Sequence, residues 1–208
     1  MKFMITILTL FMSFNIFAMT DKEKMVKATK DLKASGIEKS AVNVGMKLPN
    51  FKVGGKSISH FYEKSPVVLK FYRGGWCPYC MKELKDYQGL LSQFEQSGCK
   101  VIGITPDIRK EISKTKKKHS LGFEIYPDKD NKIAKKFGLA FKLNKDLLPI
   151  YKKFGIELSK SQGNSNNELP MPGTYVVDKN GKIRYAFLDA DYSVRAAAKD
   201  ILKECKKL

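Results

Sequence analysis

The stretch FYRGGWCPYC, residues 71–80, carries two of the chain's four cysteines, and two residues separate them. Its first three residues end the segment PVVLKFYR (66–73), a short run of β-branched and aromatic residues that predicts a buried strand. Beyond it, apolar residues recur at helical spacing, which predicts one face of a helix that Gly98 ends. These apolar positions are Cys80, Leu84, Tyr87, Leu91 and Phe94. A second strand, KVIGITPD (100–107), completes a βαβ unit, which we expect to be right-handed.

This order places Cys77 and Cys80 where a strand ends and a helix begins. Cys77 is expected at the N-cap and Pro78 at the first helical position, where its missing N–H costs nothing. The helix dipole and the unpaired N–H groups stabilise a thiolate there, and Arg73 adds positive charge nearby. We therefore expect at least one of the two thiols to ionise near neutral pH.

Three kinds of site fit two cysteines at this spacing. A zinc or copper site needs further ligands, and the remaining two cysteines and two histidines form no second paired motif. A purely structural disulfide would close a very small loop and add little stability. A redox-active dithiol between a strand and a helix is the interpretation we favour, with Cys77 and Cys80 as the catalytic residues. We expect no metal and no cofactor.

The remaining segments predict an α/β fold with a central mixed sheet whose last strands are antiparallel. Helices are predicted over 21–36, 108–119, 131–138 and 192–208, with Asp191 capping the last one. Strands are predicted over 123–128, 174–178 and 183–189, and a short hairpin over 51–59. Residues 139–169 are predicted to be irregular.

The first eighteen residues, MKFMITILTLFMSFNIFA, combine one lysine with an apolar run and end at a small residue. Polar residues dilute the run too much for a transmembrane anchor, so we expect a cleaved export signal over 1–18. The mature chain would then begin near Met19 in the periplasm or outside the cell, where disulfides persist. We divide the rest into a helical segment over 19–40 and one domain over 41–208.

The chain is strongly basic, because 39 lysines and arginines face 21 acidic residues and give a net charge of +18. The basic residues are spread along the sequence, which is typical of solvated surfaces. No zinc-finger spacing or RNA-binding motif accompanies them, so we expect no nucleic-acid partner. Long-range attraction would allow weak contact with an anionic membrane surface.

FYRGGWCPYC followed by MKEL resembles the peroxiredoxin-like branch of the thioredoxin-fold superfamily, which is related to alkyl hydroperoxide reductases and thiol-specific antioxidant proteins. VGMKLPNFKV (44–53) resembles the strand that opens peroxiredoxins, MPGTYVVDKNGKIRYAF (171–187) resembles the late hairpin, and DADYSVR (189–195) also resembles this branch. The resemblance covers about residues 40–205. It implies a thioredoxin-like fold, a central mixed sheet flanked by helices, extended by the N-terminal helix and the hairpin.

Two departures concern the site. Peroxiredoxins carry a Thr or Ser three residues before the attacking cysteine, so by that register Cys80 attacks and Cys77 replaces the hydroxyl. They also carry an arginine at the start of the late strand, where this chain has Pro172. A proline there resembles the cis-proline that lies beside the two sulfurs of thioredoxins. Arg73 and Arg195 are the candidates to replace the missing arginine, and the sequence places neither.

The resemblance implies a thiol peroxidase that reduces hydroperoxides through a Cys77/Cys80 dithiol–disulfide cycle and is reset by a dithiol reductant protein. The alternative is a thioredoxin-like thiol–disulfide oxidoreductase that acts on the thiols of envelope proteins. A non-catalytic basic module that binds anionic envelope surfaces is a third hypothesis. The attacking sulfur stays open, because exposure at the helix end favours Cys77 and the peroxiredoxin register favours Cys80.

Three further side chains complete the expectations. Trp76 is expected to pack beside the two sulfurs and shield them. Cys99 is expected to remain a buried thiol while Cys77 and Cys80 form a reversible disulfide. Cys205, near the C-terminus, is a minor candidate for a resolving or intermolecular role.

Overall fold

The computed structural model describes residues 19–208, so the predicted export signal lies outside the described residues. The helices are α1 (Asp21–Ala34), α2 (Ile37–Ser40), α3 (Ser59–Tyr62), α4 (Pro78–Gly89), α5 (Leu91–Gln96), α6 (Arg109–His119), α7 (Lys132–Lys136), α8 (Leu148–Lys153), α9 (Leu158–Gln162) and α10 (Ala198–Cys205). The strands are β1 (Lys52–Val53), β2 (Lys56–Ser57), β3 (Val67–Phe71), β4 (Lys100–Thr105), β5 (Glu124–Pro127), β6 (Ala140–Lys142), β7 (Glu168–Pro170), β8 (Gly173–Val177) and β9 (Ile183–Leu188). None of the helices in residues 19–208 is long and apolar enough to span a membrane.

Five strands form the central sheet in the order β5-β4-β3-β8-β9. Strand β3 pairs in parallel with β4, and β4 with β5, whereas β8 runs antiparallel to both β3 and β9. The sheet is therefore mixed, with antiparallel late strands, as predicted. This arrangement confirms the α/β thioredoxin-like fold class, and β1 and β2 form the predicted N-terminal hairpin.

Strand β3 lies at the centre of this sheet, and all five of its residues are buried. Successive side chains of a strand point to opposite faces. Leu69 and Phe71 accordingly contact the hydrophobic core on one face, together with Phe137, and Val68 contacts the core on the other face, which also holds Cys80. The end of β3 is thus fixed from both sides, and it delivers the following loop to the start of α4.

The prediction that residues 139–169 are irregular is wrong. Strand β6 pairs with β7, and α8 and α9 lie between them, preceded by a 3-10 turn at Lys145–Leu147. The apolar residues of this region form a third core cluster. Each helix has only five or six residues, and the β6–β7 pairing joins segments far apart in sequence. Neither feature produces a periodic pattern long enough to read.

The predicted last helix begins too early. Asp191 does not cap it; its Oδ1 accepts hydrogen bonds from the backbone N–H of Ser193 at 2.9 Å and from the Ser193 hydroxyl at 2.6 Å. This local turn competes with helix formation, and α10 starts only at Ala198, with Ala197 at the N-cap. Residues 194–197 are consequently non-helical, and this short segment carries Arg195.

The prediction that Cys99 remains a thiol is also wrong. Cys99, just before β4, forms a disulfide with Cys205, the last residue of α10. Helix α10 packs onto the sheet beside α4 and α5, which brings the two Cα atoms to 6.1 Å. Both cysteines are almost fully buried, and the bond fixes the C-terminal helix to the central sheet.

Replacing Cys205 with Ser is expected to lower the free energy of unfolding by about 4 kcal/mol without reductant, because the bond closes a long loop in the unfolded chain. The sequence separation across the bond is 106 residues. Urea unfolding, monitored with and without reductant, measures the difference. The difference in the free energy of unfolding should vanish once the wild type is reduced. Cys77→Ser, which leaves this disulfide intact, should not show the loss. Equal stability without reductant would contradict this disulfide.

Candidate active site

The loop from β3 to α4 presents two cysteines at the beginning of α4. Cys77 is the N-cap residue, its sulfur accepts a hydrogen bond from the Cys80 backbone N–H at 3.4 Å, and Pro78 occupies the first turn, as predicted. Both cysteines are free thiols, and both are buried. Because the helix begins at this point, its unpaired N–H groups and its dipole act directly on the sulfurs.

A sharp backbone turn at Gly74 precedes the cysteines. Its φ of +151° lies in the region that favours glycine, and a Cβ there would collide with the Trp76 ring and the Asp107 carboxylate. Asp107 accepts a hydrogen bond from the Gly75 backbone N–H at 2.7 Å, which holds the turn. Burial raises the pKa of Asp107 to about 7, although the bond from Gly75 opposes the rise. Sequence reasoning did not single out this carboxylate.

Cys80 is the thiol that the site ionises. Burial opposes ionisation, but the hydrogen bond from the Cys77 thiol, the charge of Arg195, and the backbone N–H and charge of Arg73 outweigh it and lower the pKa of Cys80 to about 6. These contacts favour the thiolate form of Cys80. Only the thiolate form of cysteine is a nucleophile, which makes Cys80 the candidate for the reactive sulfur.

Cys77 has the opposite character. Its hydrogen bond with the Cys80 sulfur, its burial and the negative charge of Cys80 raise the pKa of the Cys77 thiol far above its ordinary value, against the effect of Arg73. The expectation that Cys77 is exposed to solvent at the helix end is wrong, because its side chain is only 1% exposed. The structure supports the alternative order, in which Cys77 stays protonated beside an ionised Cys80.

Arg195 places positive charge beside the Cys80 sulfur. Its Nη2 lies 3.6 Å from the Cys80 sulfur, and its Nε lies 2.9 Å from Oε2 of Glu83. From the sequence, Arg195 was one of two candidates to replace the missing arginine of the family. The predicted helix over 192–208 did not show where its side chain would point. The non-helical segment before α10 is what aims the guanidinium at Cys80.

Glu83 is itself held by a second buried cation. Lys70 Nζ lies 2.7 Å from Glu83 Oε1 and donates a hydrogen bond to the Thr174 hydroxyl at 3.0 Å. Burial lowers the pKa of Lys70, and the Glu83 charge is the main opposing effect. Lys70, Glu83, Arg195 and the Cys80 thiolate thus alternate in sign and sum to zero charge in the protein interior. Sequence reasoning missed Lys70 and Glu83, which lie on a strand and a helix as ordinary charged residues.

Arg73 lies on the other side of the pair. Its guanidinium donates a hydrogen bond to the Tyr151 hydroxyl and stacks on the Tyr192 ring, with 4.3 Å to the ring centroid. Trp76 is 5.1 Å from the same guanidinium and packs against the core cluster that includes both sulfurs. Arg73 is 4% exposed, so this aromatic shell excludes water from the site.

The prediction of a cis bond before Pro172 is wrong, because residues 19–208 contain no cis peptide bond. The chain runs extended from β7 into β8, and the Met171 N–H bonds to the Leu139 carbonyl at 2.8 Å, which a trans bond accommodates. Pro172 is buried and lines a cavity together with Arg73, Tyr151 and Tyr192. The thioredoxin-like proline geometry beside the dithiol is therefore absent from the described chain.

Residues 37–186 match the AhpC/TSA family. Among curated proteins, peroxiredoxin Q of Oryza sativa subsp. japonica chloroplasts is 30% identical over 150 residues, which cover 70% of this chain and 59% of that protein. Peroxiredoxin Bcp of Bacillus subtilis (strain 168) is 28% identical over 147 residues, covering 68% and 82% respectively. The chain spans about three fifths of the length of the rice and wheat relatives that it matches.

Solved structures show the same fold. Peroxidoxin BcpB from Mycobacterium tuberculosis superposes with a TM-score of 0.63 at 19% identity, covering 80% of this chain and 98% of the other. Xanthomonas campestris peroxiredoxin Q superposes with a TM-score of 0.55 at 18% identity, covering 83% and 93%. At this level of identity the likeness concerns the fold.

Replacing Arg195 with Gln is expected to raise the pKa of Cys80 by about one unit or more, because the change removes the cation beside the sulfur. In the reduced wild type, one equivalent of thiolate should appear with a midpoint near 6. Ultraviolet absorbance of the thiolate measures the titration, and Cys80→Ser should abolish this step. Arg184→Gln removes an exposed arginine of β9 and serves as the control. If Arg195→Gln leaves the midpoint of the thiolate titration unchanged, the contact between Arg195 and Cys80 is refuted.

Proposed function

Because this chain belongs to the AhpC/TSA family, we propose that it is a thiol peroxidase in which Cys80 attacks a hydroperoxide and Cys77 resolves the oxidised sulfur. The observation that carries the proposal is the ionised, buried Cys80, which contacts Arg195 on one side and the Cys77 thiol on the other. Peroxiredoxins Q and Bcp among the relatives support the same class of reaction. The chain would be an oxidoreductase.

In the first step the Cys80 thiolate attacks the terminal oxygen of the hydroperoxide and the O–O bond breaks. The sulfur is oxidised to a sulfenic acid, and the other oxygen leaves as alkoxide or hydroxide. Cys77 hydrogen-bonds to Cys80, so its thiol proton is in place to neutralise the leaving group, which departs as alcohol or water. Arg195 and Arg73 supply fixed positive charge where negative charge moves from sulfur to oxygen.

The same proton transfer prepares the second step. Once Cys80 is a neutral sulfenic acid, its negative charge no longer raises the pKa of Cys77, and Cys77 is left as a thiolate. Cys77 attacks the Cys80 sulfur, the S–S bond forms, the S–O bond breaks, and hydroxide leaves as water after taking a proton from solvent. A dithiol protein then reduces the disulfide by thiol–disulfide exchange and returns two electrons.

The thiol–disulfide oxidoreductase alternative is not favoured. It needs an accessible first cysteine that attacks a protein disulfide, and Cys77 is buried and protonated. It also drew support from a cis-proline that the described chain does not contain. The site instead concentrates its positive charge on Cys80, as peroxide attack requires.

Export of the protein is a further proposal. It rests on the sequence of residues 1–18, and a disulfide between Cys99 and Cys205 suits an oxidising compartment. The intact mass of the protein recovered from its native cells, beginning near Met19 or at Met1, decides between export and retention of the segment.

Single serine substitutions should separate the roles of the two cysteines. Cys77→Ser is expected to consume one equivalent of hydrogen peroxide and to stop with a sulfenic acid at Cys80, because the attacking sulfur remains and the resolving sulfur is gone. Cys80→Ser should react no faster than an ordinary free thiol. Peroxide consumption and mass mapping of the trapped sulfenic acid measure both results.

An insulin reduction assay with the same proteins provides the second arm. The proposal predicts slow insulin reduction by the wild type and no mixed disulfide at Cys77 in the Cys80→Ser variant. Rapid insulin reduction, with partners trapped at Cys77 and no peroxide consumption, would overturn the peroxidase assignment in favour of the oxidoreductase.

A further inference from the structure

Lys70 is a lysine buried inside the central sheet. It lies on β3, directly opposite Thr174 of β8, and its side chain is only 1% exposed. Lysine is almost never fully buried in a protein unless it is paired. Taking its charge out of water is costly, and apolar residues of similar volume are often at least as stable as a buried ion pair. The stability of the sheet therefore gives no reason for a lysine at this position.

The side chain of Lys70 points to the same face of the sheet as Cys80. Successive residues of an extended chain alternate between the two faces. Val68 and Tyr72, two positions to either side, belong to the core cluster that contains Cys80. On this face Nζ of Lys70 lies 2.7 Å from Oε1 of Glu83. The lysine is therefore in place to act on the charges around the Cys80 sulfur.

Glu83 divides its two oxygens between two cations. Oε1 contacts Lys70, and Oε2 contacts Nε of Arg195 at 2.9 Å. The other two nitrogens of Arg195 have different partners. Nη1 donates a hydrogen bond to the Val194 carbonyl at 2.7 Å, and Nη2 lies 3.6 Å from the Cys80 sulfur. The guanidinium is thus shared between a carboxylate and a sulfur.

The contact between Glu83 and Arg195 falls short of the geometry that such a pair prefers. A carboxylate and a guanidinium favour a bidentate arrangement with two parallel N–H···O bonds. Nε and Nη2 lie on the same edge of the guanidinium, so they would supply both donors if Oε1 were free. Within residues 19–208, Nε of Arg195 and both oxygens of Glu83 have no hydrogen-bond partner of normal geometry, although the charges are in contact. Because Lys70 occupies Oε1, Nη2 is left for the sulfur.

We propose that Lys70 is a positioning residue for peroxide attack. By holding Oε1 of Glu83, it prevents this carboxylate from taking both donors of Arg195. The guanidinium of Arg195 then stays on the Cys80 sulfur. The proposal rests on the thiol peroxidase function, and the reaction is the one given above. Lys70 acts through its neighbours and takes no part in the bonds that form and break.

Replacing Lys70 with Met removes the charge and keeps the length of the side chain. Glu83 should then take both donors of Arg195, and the pKa of Cys80 should rise by about one unit or more, because a cation leaves the sulfur. A one-unit rise from about 6 leaves about a tenth of the sulfur ionised at pH 6 instead of half. The rate constant with hydrogen peroxide should therefore fall at least about fivefold at pH 6. Ultraviolet absorbance of the thiolate and stopped-flow fluorescence of Trp76 measure the two effects.

A double variant, Lys70→Met with Glu83→Gln, removes the competing carboxylate together with the lysine. No carboxylate at position 83 then draws Arg195 away from Cys80, so the midpoint of the thiolate titration should return to the wild-type value or fall below it. Removing both partners of a buried ion pair costs less stability than removing one. The double variant therefore tests the proposal even if Lys70→Met does not fold.

A crystal structure of reduced Lys70→Met separates the proposed route from a direct effect of the lysine charge. Nη2 of Arg195 should lie within hydrogen-bond distance of Oε1 of Glu83 and no longer beside the sulfur. Lys100→Met is the matched control. It breaks a half-exposed ion pair with Glu124 on the neighbouring strand β4, so it should change neither the midpoint nor the rate constant.

Three results would overturn the positioning role. Lys70→Met could lower thermal stability and leave the midpoint unchanged, which would make the lysine merely structural. The midpoint could rise while Arg195 stays on the sulfur in the crystal structure. The double variant could also keep a midpoint as high as that of Lys70→Met.

The thiolate titration needs no peroxide, so it keeps the two proposals apart. If the wild type and Lys70→Met reduce hydrogen peroxide equally well at pH 6, the positioning role fails and the peroxidase stands. If the wild type reduces no hydroperoxide and Lys70→Met still raises the midpoint, the peroxidase assignment fails, whereas the effect of Lys70 on the sulfur stands.

Discussion

A negatively charged sulfur inside the protein is the constraint on which this structure depends. An isolated buried charge costs several kcal/mol in lost hydration, and the cost is met only by well-placed partners. Cys80 obtains these partners from two separate parts of the chain: Cys77 and Arg73 from the loop before α4, and Arg195 from the segment before α10. Glu83 completes the balance, because it contacts both Arg195 and Lys70. Without Glu83, the Lys70 cation on β3 would be buried without a counter-charge.

This balance explains why the C-terminal region is part of the site. Arg195 can reach Cys80 only because residues 194–197 are not helical, and α10 fixes that segment by packing beside α4 and α5. The Cys99–Cys205 disulfide joins the end of α10 to the sheet at the base of β4. The geometry of the thiolate is therefore set partly by a bond at the opposite end of the fold.

Local patterns were sufficient for most of the scaffold. The strand before FYRGGWCPYC, the Cys77 N-cap, Pro78 and a mixed sheet with antiparallel late strands follow from hydrophobic periodicity, capping preferences and family resemblance. What the sequence did not reveal depends on contacts between distant segments. The Cys99–Cys205 pairing, the placement of Arg195 and the burial of Cys77 all arise when α10 and the 139–169 region fold over the sheet. The sequence left open which cysteine ionises for the same reason, because exposure and neighbouring charge decide a thiol's pKa and neither is a local property.

The pH dependence of the first chemical step tests most directly the claim that Cys80 reacts as a pre-formed thiolate. Reduced protein is mixed with excess hydrogen peroxide, and the fluorescence change of the single tryptophan gives the second-order rate constant from mildly acidic to alkaline pH. Because the thiolate of Cys80 persists above a pKa of about 6, the rate constant should be half-maximal near pH 6 and constant above neutrality. A rate constant that climbs through neutral pH with a midpoint near the roughly 8.5 of an ordinary cysteine would contradict the account.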